Sequence, residues 1–423
     1  MTLIRSIPAS CCALVLAAGL LCATAARADD PFSFNNYAIE LQNRGEHEKA
    51  LEQLQRAFSL YPYDQTLRRN LAEAYTFVGE RHLAASRFDE AIASFDQARE
   101  LFPEVPRYYV LRGIAFYYGK FYDAALNELQ RARGLGGDSP EILFFTGRVQ
   151  YDTGNLQAAI ESWEKALVLK PDMKATRELL DKAKREQSVE GGMDKGYSSR
   201  FVVSYDAGST STLAREILDT LEEAYNRVGS DLSQFPTARI PVILYTNKDY
   251  RLVTAGPDWS GGLYDGKIRL PVGGATELTP QLKGVLFHEY THVVIQELTR
   301  GNVPNWLNEG VAELQGRRLF NPPMADLGKA ARSGQPLPIN FLDKSFIGLD
   351  TRQAGLAYQE SYALANFMVQ SYGWHKVREI LQLLGAGEKI ETAVAKALAD
   401  FGLDYQGLIR EWQAYMGREF GGR

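Results

Sequence analysis

Small residues recurring at a fixed interval constrain this chain more than any other feature. Four stretches share one pattern: EHEKALEQLQRAFSLYP (46–62), RFDEAIASFDQARELFP (87–103), KFYDAALNELQRARGLGG (120–137) and NLQAAIESWEKALVLKP (155–171). In each, an alanine is followed four residues later by a large apolar residue and three after that by a second alanine. In three of the four, a proline stands five residues further on. The leading alanines are Ala50, Ala91, Ala125 and Ala159, so the intervals are 41, 34 and 34 residues. Gly113 and Gly147 hold matching places ahead of the last two. A 34-residue unit of two helices and a turn cannot bury its apolar face alone and must stack on copies of itself. Small residues at fixed positions let the paired helices approach closely. The proline ends the second helix, because it donates no amide and clashes with the preceding turn. The 41-residue interval implies a seven-residue insertion, and LRRNLAEAYTFVGERHLAASRF (67–88) reads as a first helix lengthened by about two turns.

This pattern resembles tetratricopeptide repeats over residues of about 31–180. The resemblance implies a solenoid of about four repeats with a concave face that takes a protein partner; the array can equally be scaffolding for the second half. Tyr108, Tyr109, Tyr117 and Tyr118 either line that groove or fill the core. We therefore expect a repeat domain over 31–183, a linker over 184–198 and a second domain over 199–423. The linker expectation rests on paired glycines, mixed charge and few apolar residues in KREQSVEGGMDKGYSSR.

The first 28 residues read as a secretory signal peptide. Arg5 supplies the positive start, 11–23 form an uncharged apolar run, and ARA precedes Asp29 as a small-residue cleavage signal. All three cysteines (Cys11, Cys12 and Cys22) lie inside this segment, so the mature chain would have no disulfide and would rely on burial for stability. No later run reaches the eighteen apolar residues of a membrane helix. A net charge of −5 provides no basic footprint for nucleic acid. The expectation is an exported protein, periplasmic or secreted, with no membrane span after cleavage.

In the second half, 200–206, 239–247 and 261–274 read as strands and 211–233 as an amphipathic helix, a small sheet packed with helices. Then comes LFHEYTHVVIQEL (286–298). Thr279 can cap this helix and Pro280 suits its first position. Residues four apart share a helix face, so His288 and His292 can hold one ion. Two neutral imidazoles are good zinc ligands. Glu289 lies beside them, where a carboxylate can take a proton from water that the metal acidifies to a pKa of about 7. A catalytic zinc wants three protein ligands. After Gly301 stops the helix, Pro304 can start another, on which Glu309 and Glu313 share a face. Glu309 is the expected third ligand, and Glu313 would receive the outer N–H of a zinc histidine; otherwise both lie on a solvated face. Gly310 costs about 1 kcal/mol within a helix, which makes sense if a side chain there would strike the site or the first helix.

HEYTH followed by PNWLNEGVAEL resembles the gluzincin metallopeptidases, closest to the peptidase MA-like families of the thermolysin clan. The resemblance covers 240–375 well. It implies an α+β metallopeptidase domain with C-terminal helices, and one Zn2+ held by His288, His292 and Glu309. It also implies Glu289 as base and proton shuttle, and Glu313 at a position usually held by Asp. Related families carry a tyrosine in the helix that LAYQESYALANFMVQSYG (356–373) resembles. Tyr358 fits an oxyanion donor best, Tyr362 is the reserve, and a core tyrosine is the other reading. GLYDGKIRLP (262–271) could pair with a peptide backbone as an edge strand. The tail from 374 should close one side of the cleft, and His375 should lie on the surface. The expected function is an exported zinc metalloendopeptidase acting on protein or peptide, its repeats recruiting substrate or partner. The alternatives are a peptidase-like adaptor without turnover and a zinc hydrolase of non-peptide substrates.

Overall fold

The 34-residue period becomes four helix pairs: α1 (Pro31–Asn43) with α2 (His47–Leu60), α3 (Gln65–Ala84) with α4 (Phe88–Leu101), α5 (Pro106–Tyr118) with α6 (Tyr122–Gly136), and α7 (Pro140–Asp152) with α8 (Leu156–Leu169). The computed structural model describes residues 30–206, 211–254, 262–273, 275–346 and 348–421. The expected signal peptide lies outside the described residues.

Glycines on the first helix of a pair face the large residues on the second. A Cβ at Gly79, Gly113 or Gly147 would stand 2.6, 3.0 or 2.4 Å from the side chains of Phe95, Leu129 and Trp163 respectively. These three large residues and the leading alanines are fully buried. Any larger residue at those glycines would overpack a closed contact. The insertion falls in α3, which has 20 residues where α5 and α7 have 13. Tyr108, Tyr109 and Tyr117 are core residues, whereas Tyr118 is exposed.

The chain divides into two units, one ending at Ala183 and one beginning at Lys184. Helix α9 (Lys174–Glu190) runs through that division. The stretch expected as a linker is therefore built secondary structure: its first seven residues end α9, and Asp194–Tyr197 form strand β1. Charge misled the expectation. Glu186 and Glu190 are buried acceptors for Lys267 and Arg269. The Lys267 amine lies 2.8 Å from Glu186, and Arg269 lies 2.8 Å from Glu186 and 2.9 Å from both Glu190 and Asp265. Tyr245 donates to Glu190. Each buried charge has an opposite partner, which such groups require.

The second unit holds a five-stranded mixed sheet. Its strands are β1, β2 (Phe201–Tyr205), β3 (Ile240–Tyr245), β4 (Leu263–Tyr264) and β5 (Ile268–Pro271), in the order β1-β2-β3-β5-β4. The central three are parallel and the two edge strands antiparallel. Helix α10 (Ser211–Leu232) crosses over between β2 and β3, as a parallel pair demands. Val242 and Leu244 face the main core, while Ile243 and Tyr245 face a smaller one with Tyr250 and Val253 of α11 (Asn247–Thr254). Burial on both faces explains the unbroken apolar run of β3.

Three further helices meet through glycines: α12 (Pro280–Thr299), α13 (Asn305–Gly316) and α16 (Thr351–Gly385), the last reached through α14 (Ala325–Ser333) and α15 (Ile339–Leu342). Gly284 of α12 and Gly316 of α13 cross so closely that a Cβ on Gly316 would stand 2.8 Å from the Gly284 carbonyl oxygen. A Cβ on Gly310 would stand 2.3 Å from the Ser361 carbonyl oxygen of α16, and one on Gly385 would stand 2.0 Å from that of Leu298 on α12. Gly310 is thus required by α16, not by the first helix or the site as the sequence suggested. Gly373, with φ +80°, interrupts α16. Beyond it Val377, Ile380, Leu381 and Leu384 join α17 (Ile390–Ala397) and α18 (Tyr405–Glu419) in the main core. The tail expected to close one side of the cleft is thus packed into this core. His375 is exposed, as expected.

The packing can be tested at two buried positions. Gly310→Ala forces α13 away from α16 and should destabilise the protein by about 3 kcal/mol, read as a lower urea midpoint; an unchanged midpoint contradicts the crossing. The second position is Glu360, fully buried on α16, whose two oxygens accept the Leu337 N–H at 2.9 and 3.1 Å. Burial pushes its carboxyl up from 4.5 to about 7. Below the lower value both folded and unfolded chains hold the proton. Between the two only the folded chain does, so this group lowers stability as pH rises and levels off above about 7. Glu360→Gln should therefore gain roughly 2–3 kcal/mol on wild type between pH 5 and 7.5. Parallel stability curves for the two proteins would contradict this.

Candidate metal centre

Helix α12 begins where the sequence places it. The Thr279 hydroxyl accepts the Leu282 N–H at 3.1 Å, and Pro280 occupies the first turn. It ends at Arg300 and Gly301, both with positive φ, and Pro304 caps α13. The Gly284–Gly316 crossing then lays α13 across α12, and Trp306, fully buried, anchors it to the core.

Three donors converge at this crossing. The Nε2 atoms of His288 and His292 are 3.0 Å apart. Glu309 Oε2 lies 3.4 Å from the first and 3.5 Å from the second. Ligands about 2.0–2.2 Å from a tetrahedral zinc stand roughly 3.3–3.6 Å from one another; the two edges to Glu309 have that length and the edge between the imidazoles is shorter, so the triangle is near the size one ion needs. The donors are of the kind zinc prefers. Among the described residues, buried Glu309 Oε2 accepts no well-formed hydrogen bond and has only the two imidazoles at 3.4 and 3.5 Å, an arrangement short of full compensation. A cation in the triangle would complete it. The donor set therefore fits a zinc ion.

Both imidazoles are oriented from behind. His292 Nδ1 lies 3.0 Å from Asn308 Oδ1. His288 Nδ1 lies 3.4 Å from Glu313 Oε1, and the Arg317 Nε–H donates to the other oxygen of Glu313 at 2.8 Å. Such outer contacts leave Nε2 as the metal-facing atom. Against the cost of burial, His292 and His288 hold the Glu309 carboxyl well below the usual range. Also against burial, Glu309 and Glu313 raise the His288 imidazole well above its usual value.

Glu289 stands beside the triangle, buried, with Oε2 accepting no hydrogen bond among the described residues. Burial pushes its carboxyl up, with the two imidazoles opposing. Gly262, just before edge strand β4, permits this closeness: a Cβ there would stand 2.5 Å from Glu289 Oε1. Tyr358 of α16 lies with its ring centroid 6.4 Å from that of His288 and packs edge-on against Phe346. Burial first, then Glu309 and Glu289, push its hydroxyl up, so it remains a donor. Tyr362, one turn on, lies instead under the Arg317 guanidinium. A cleft of about 390 Å³ opens on His288, Glu289, Glu313 and Tyr358, with Gly262 at one wall and the Gly284–Gly316 crossing in its lining.

All six residues singled out from the sequence lie in one neighbourhood. Asn308, Arg317 and Gly262 were missed. Asn308 directly precedes Glu309, and Arg317 follows Glu313 at the four-residue spacing of a helix face. Gly262 offers no such signal, because its partner is distant in sequence.

A family model described as Peptidase MA superfamily matches residues 230–418, and one described as tetratricopeptide repeat matches 79–120 and 111–174. The chain is similar to the solved structure of MamA, at 20% identity over 36% of this chain and 84% of that one, with a TM-score of 0.31. It is also similar to YrrB, described as a TPR protein with an unusual peptide-binding site, at 19% over 39% and 82% with a TM-score of 0.31. A thermophilic TPR protein in Thermus thermophilus matches at 19% over 36% and 98%, with a TM-score of 0.25. No curated protein matches the chain. Among the described residues no helix is long and apolar enough to cross a membrane. The chain carries protein-interaction repeats of the tetratricopeptide type over 79–174, followed over 230–418 by a domain of the Peptidase MA superfamily.

Proposed function

We propose that the protein is a zinc-dependent metalloendopeptidase, exported under the direction of its first 28 residues, with repeats that recruit a protein substrate or partner. The observation that carries this reading is the triangle of His288 Nε2, His292 Nε2 and Glu309 Oε2 with the raised carboxyl of Glu289 beside it. Zinc held by these three residues would supply a Lewis acid that polarises a peptide carbonyl and acidifies water. Glu289 takes the proton of the attacking water and returns it to the leaving amine; its burial beside the triangle, with Oε2 accepting no hydrogen bond among the described residues, suits both tasks. The Tyr358 hydroxyl donates to the oxygen on which charge develops, supported by its place in the cleft lining and its persistence as a donor. An extended substrate backbone pairs with edge strand β4, whose neighbour Gly262 touches the base.

The test is Glu289→Gln in the full chain, assayed with casein and a peptide library. The variant should keep its zinc and lose roughly 10²–10⁴-fold in cleavage, the range general-base removal gives. Cleavage at the wild-type rate contradicts the assignment of Glu289. A wild-type protein that holds zinc yet cleaves nothing contradicts the endopeptidase reading and favours a partner-binding role.

A further inference from the structure

The two imidazoles of the triangle are held from behind by different means. His292 leans on a neutral amide, Asn308. His288 leans on a carboxylate, Glu313, which is itself gripped by Arg317. A glutamate has one more rotatable bond than an aspartate, and freezing it in one rotamer costs entropy. Left alone, it would not stay on one imidazole nitrogen.

Arg317 is built to prevent that. Its side chain is only 8% exposed. Nε–H donates to Glu313 Oε2 at 2.8 Å. Nη1–H donates to Asn321 Oδ1 at 3.2 Å and to the Pro322 carbonyl at 3.0 Å. The guanidinium carbon lies 4.7 Å from the centroid of the Tyr362 ring. Together these contacts immobilise a side chain that is otherwise among the most flexible. A planar guanidinium can make them all at once, where a lysine amine cannot. All of them also lie on chain segments next to the site, so the arginine transmits their rigidity to one carboxylate.

We propose that Arg317 is a positioning residue for the metal site: it fixes the Glu313 carboxylate on His288 Nδ1, and so keeps His288 Nε2 turned into the ligand triangle. This inference rests on the metal-centre reading above. The arginine also borders the cleft, but its hold on the site runs through Glu313. It acts on His288 and leaves His292 to Asn308.

The test measures metal affinity, not turnover. The purified full chain is stripped of metal and titrated with zinc against a chromophoric chelator, and thermal unfolding of the stripped proteins reports their folding. Arg317→Met should weaken zinc binding roughly 10–100-fold, the range for loss of an outer partner, while its metal-free unfolding midpoint stays near wild type. Arg317→Lys should recover part of the loss. Glu313→Gln should lose as much as Arg317→Met, and the double variant should lose no more than either. Cobalt substitution adds a second readout, since the ligand-field absorption should change in Arg317→Met. Wild-type affinity in Arg317→Met, or losses that multiply in the double variant, would overturn the proposal. If Arg317→Met does not fold, wild-type affinity in Glu313→Gln overturns it equally. A wild-type chain that binds no zinc overturns the metal reading and this inference together; tight wild-type binding with no effect of the variants overturns this inference alone.

Discussion

The close approach of three helix backbones positions the candidate site of the second unit. Helices α12, α13 and α16 touch pairwise, and each contact has a glycine where any side chain would strike a neighbour's carbonyl: Gly316 against Gly284, Gly310 against Ser361, Gly385 against Leu298. Glycine is unfavourable inside a helix by about 1 kcal/mol, so these positions oppose local helix stability. They are compensated by burial of the apolar side chains that the close approach brings together, among them Phe287, Trp306, Leu307 and Leu364. The consequence is positional. With the helix axes this near, His288 and His292 on one helix and Glu309 on the next reach a single point.

The polar chemistry of the centre then rests on a nonpolar scaffold. The three candidate ligand side chains project from two helices that meet at a glycine contact and a buried tryptophan. Their outer atoms are taken by Asn308 and Glu313, which ride on the same α13. Glu289 projects from α12 toward the sheet edge at Gly262, and Tyr358 enters from α16. Thus each of the three helices contributes at least one side chain to the candidate site. The sheet ends beside the site at edge strand β4, while one of its faces is closed by charges from the end of α9.

Much of this was legible before any coordinates. The repeat spacing gave the helix pairs and the insertion, because small-to-large packing at a fixed period leaves its mark on every unit. The two histidines four apart and the glutamates at 309 and 313 could be placed because helix geometry links spacing to direction. Thr279, Pro280 and Gly301 marked the helix ends through local backbone chemistry. What remained hidden depends on contacts distant in sequence. The partner of Gly310 lies far along the chain on α16. Glu186 and Glu190 look like a solvated linker until Lys267 and Arg269 are seen beside them, and the short strand β1 carries no apolar alternation to announce it. The role of Gly262 rests on one contact with Glu289 that no local pattern encodes.

The claim on which the account stands is that two imidazoles and one carboxylate share a single zinc. Anomalous diffraction across the zinc absorption edge, on crystals of the metal-loaded chain, tests it most directly. The account predicts one strong peak within bonding distance of His288 Nε2, His292 Nε2 and the Glu309 carboxylate. A peak bound elsewhere, or a zinc at the histidines with Glu309 turned away, would contradict it.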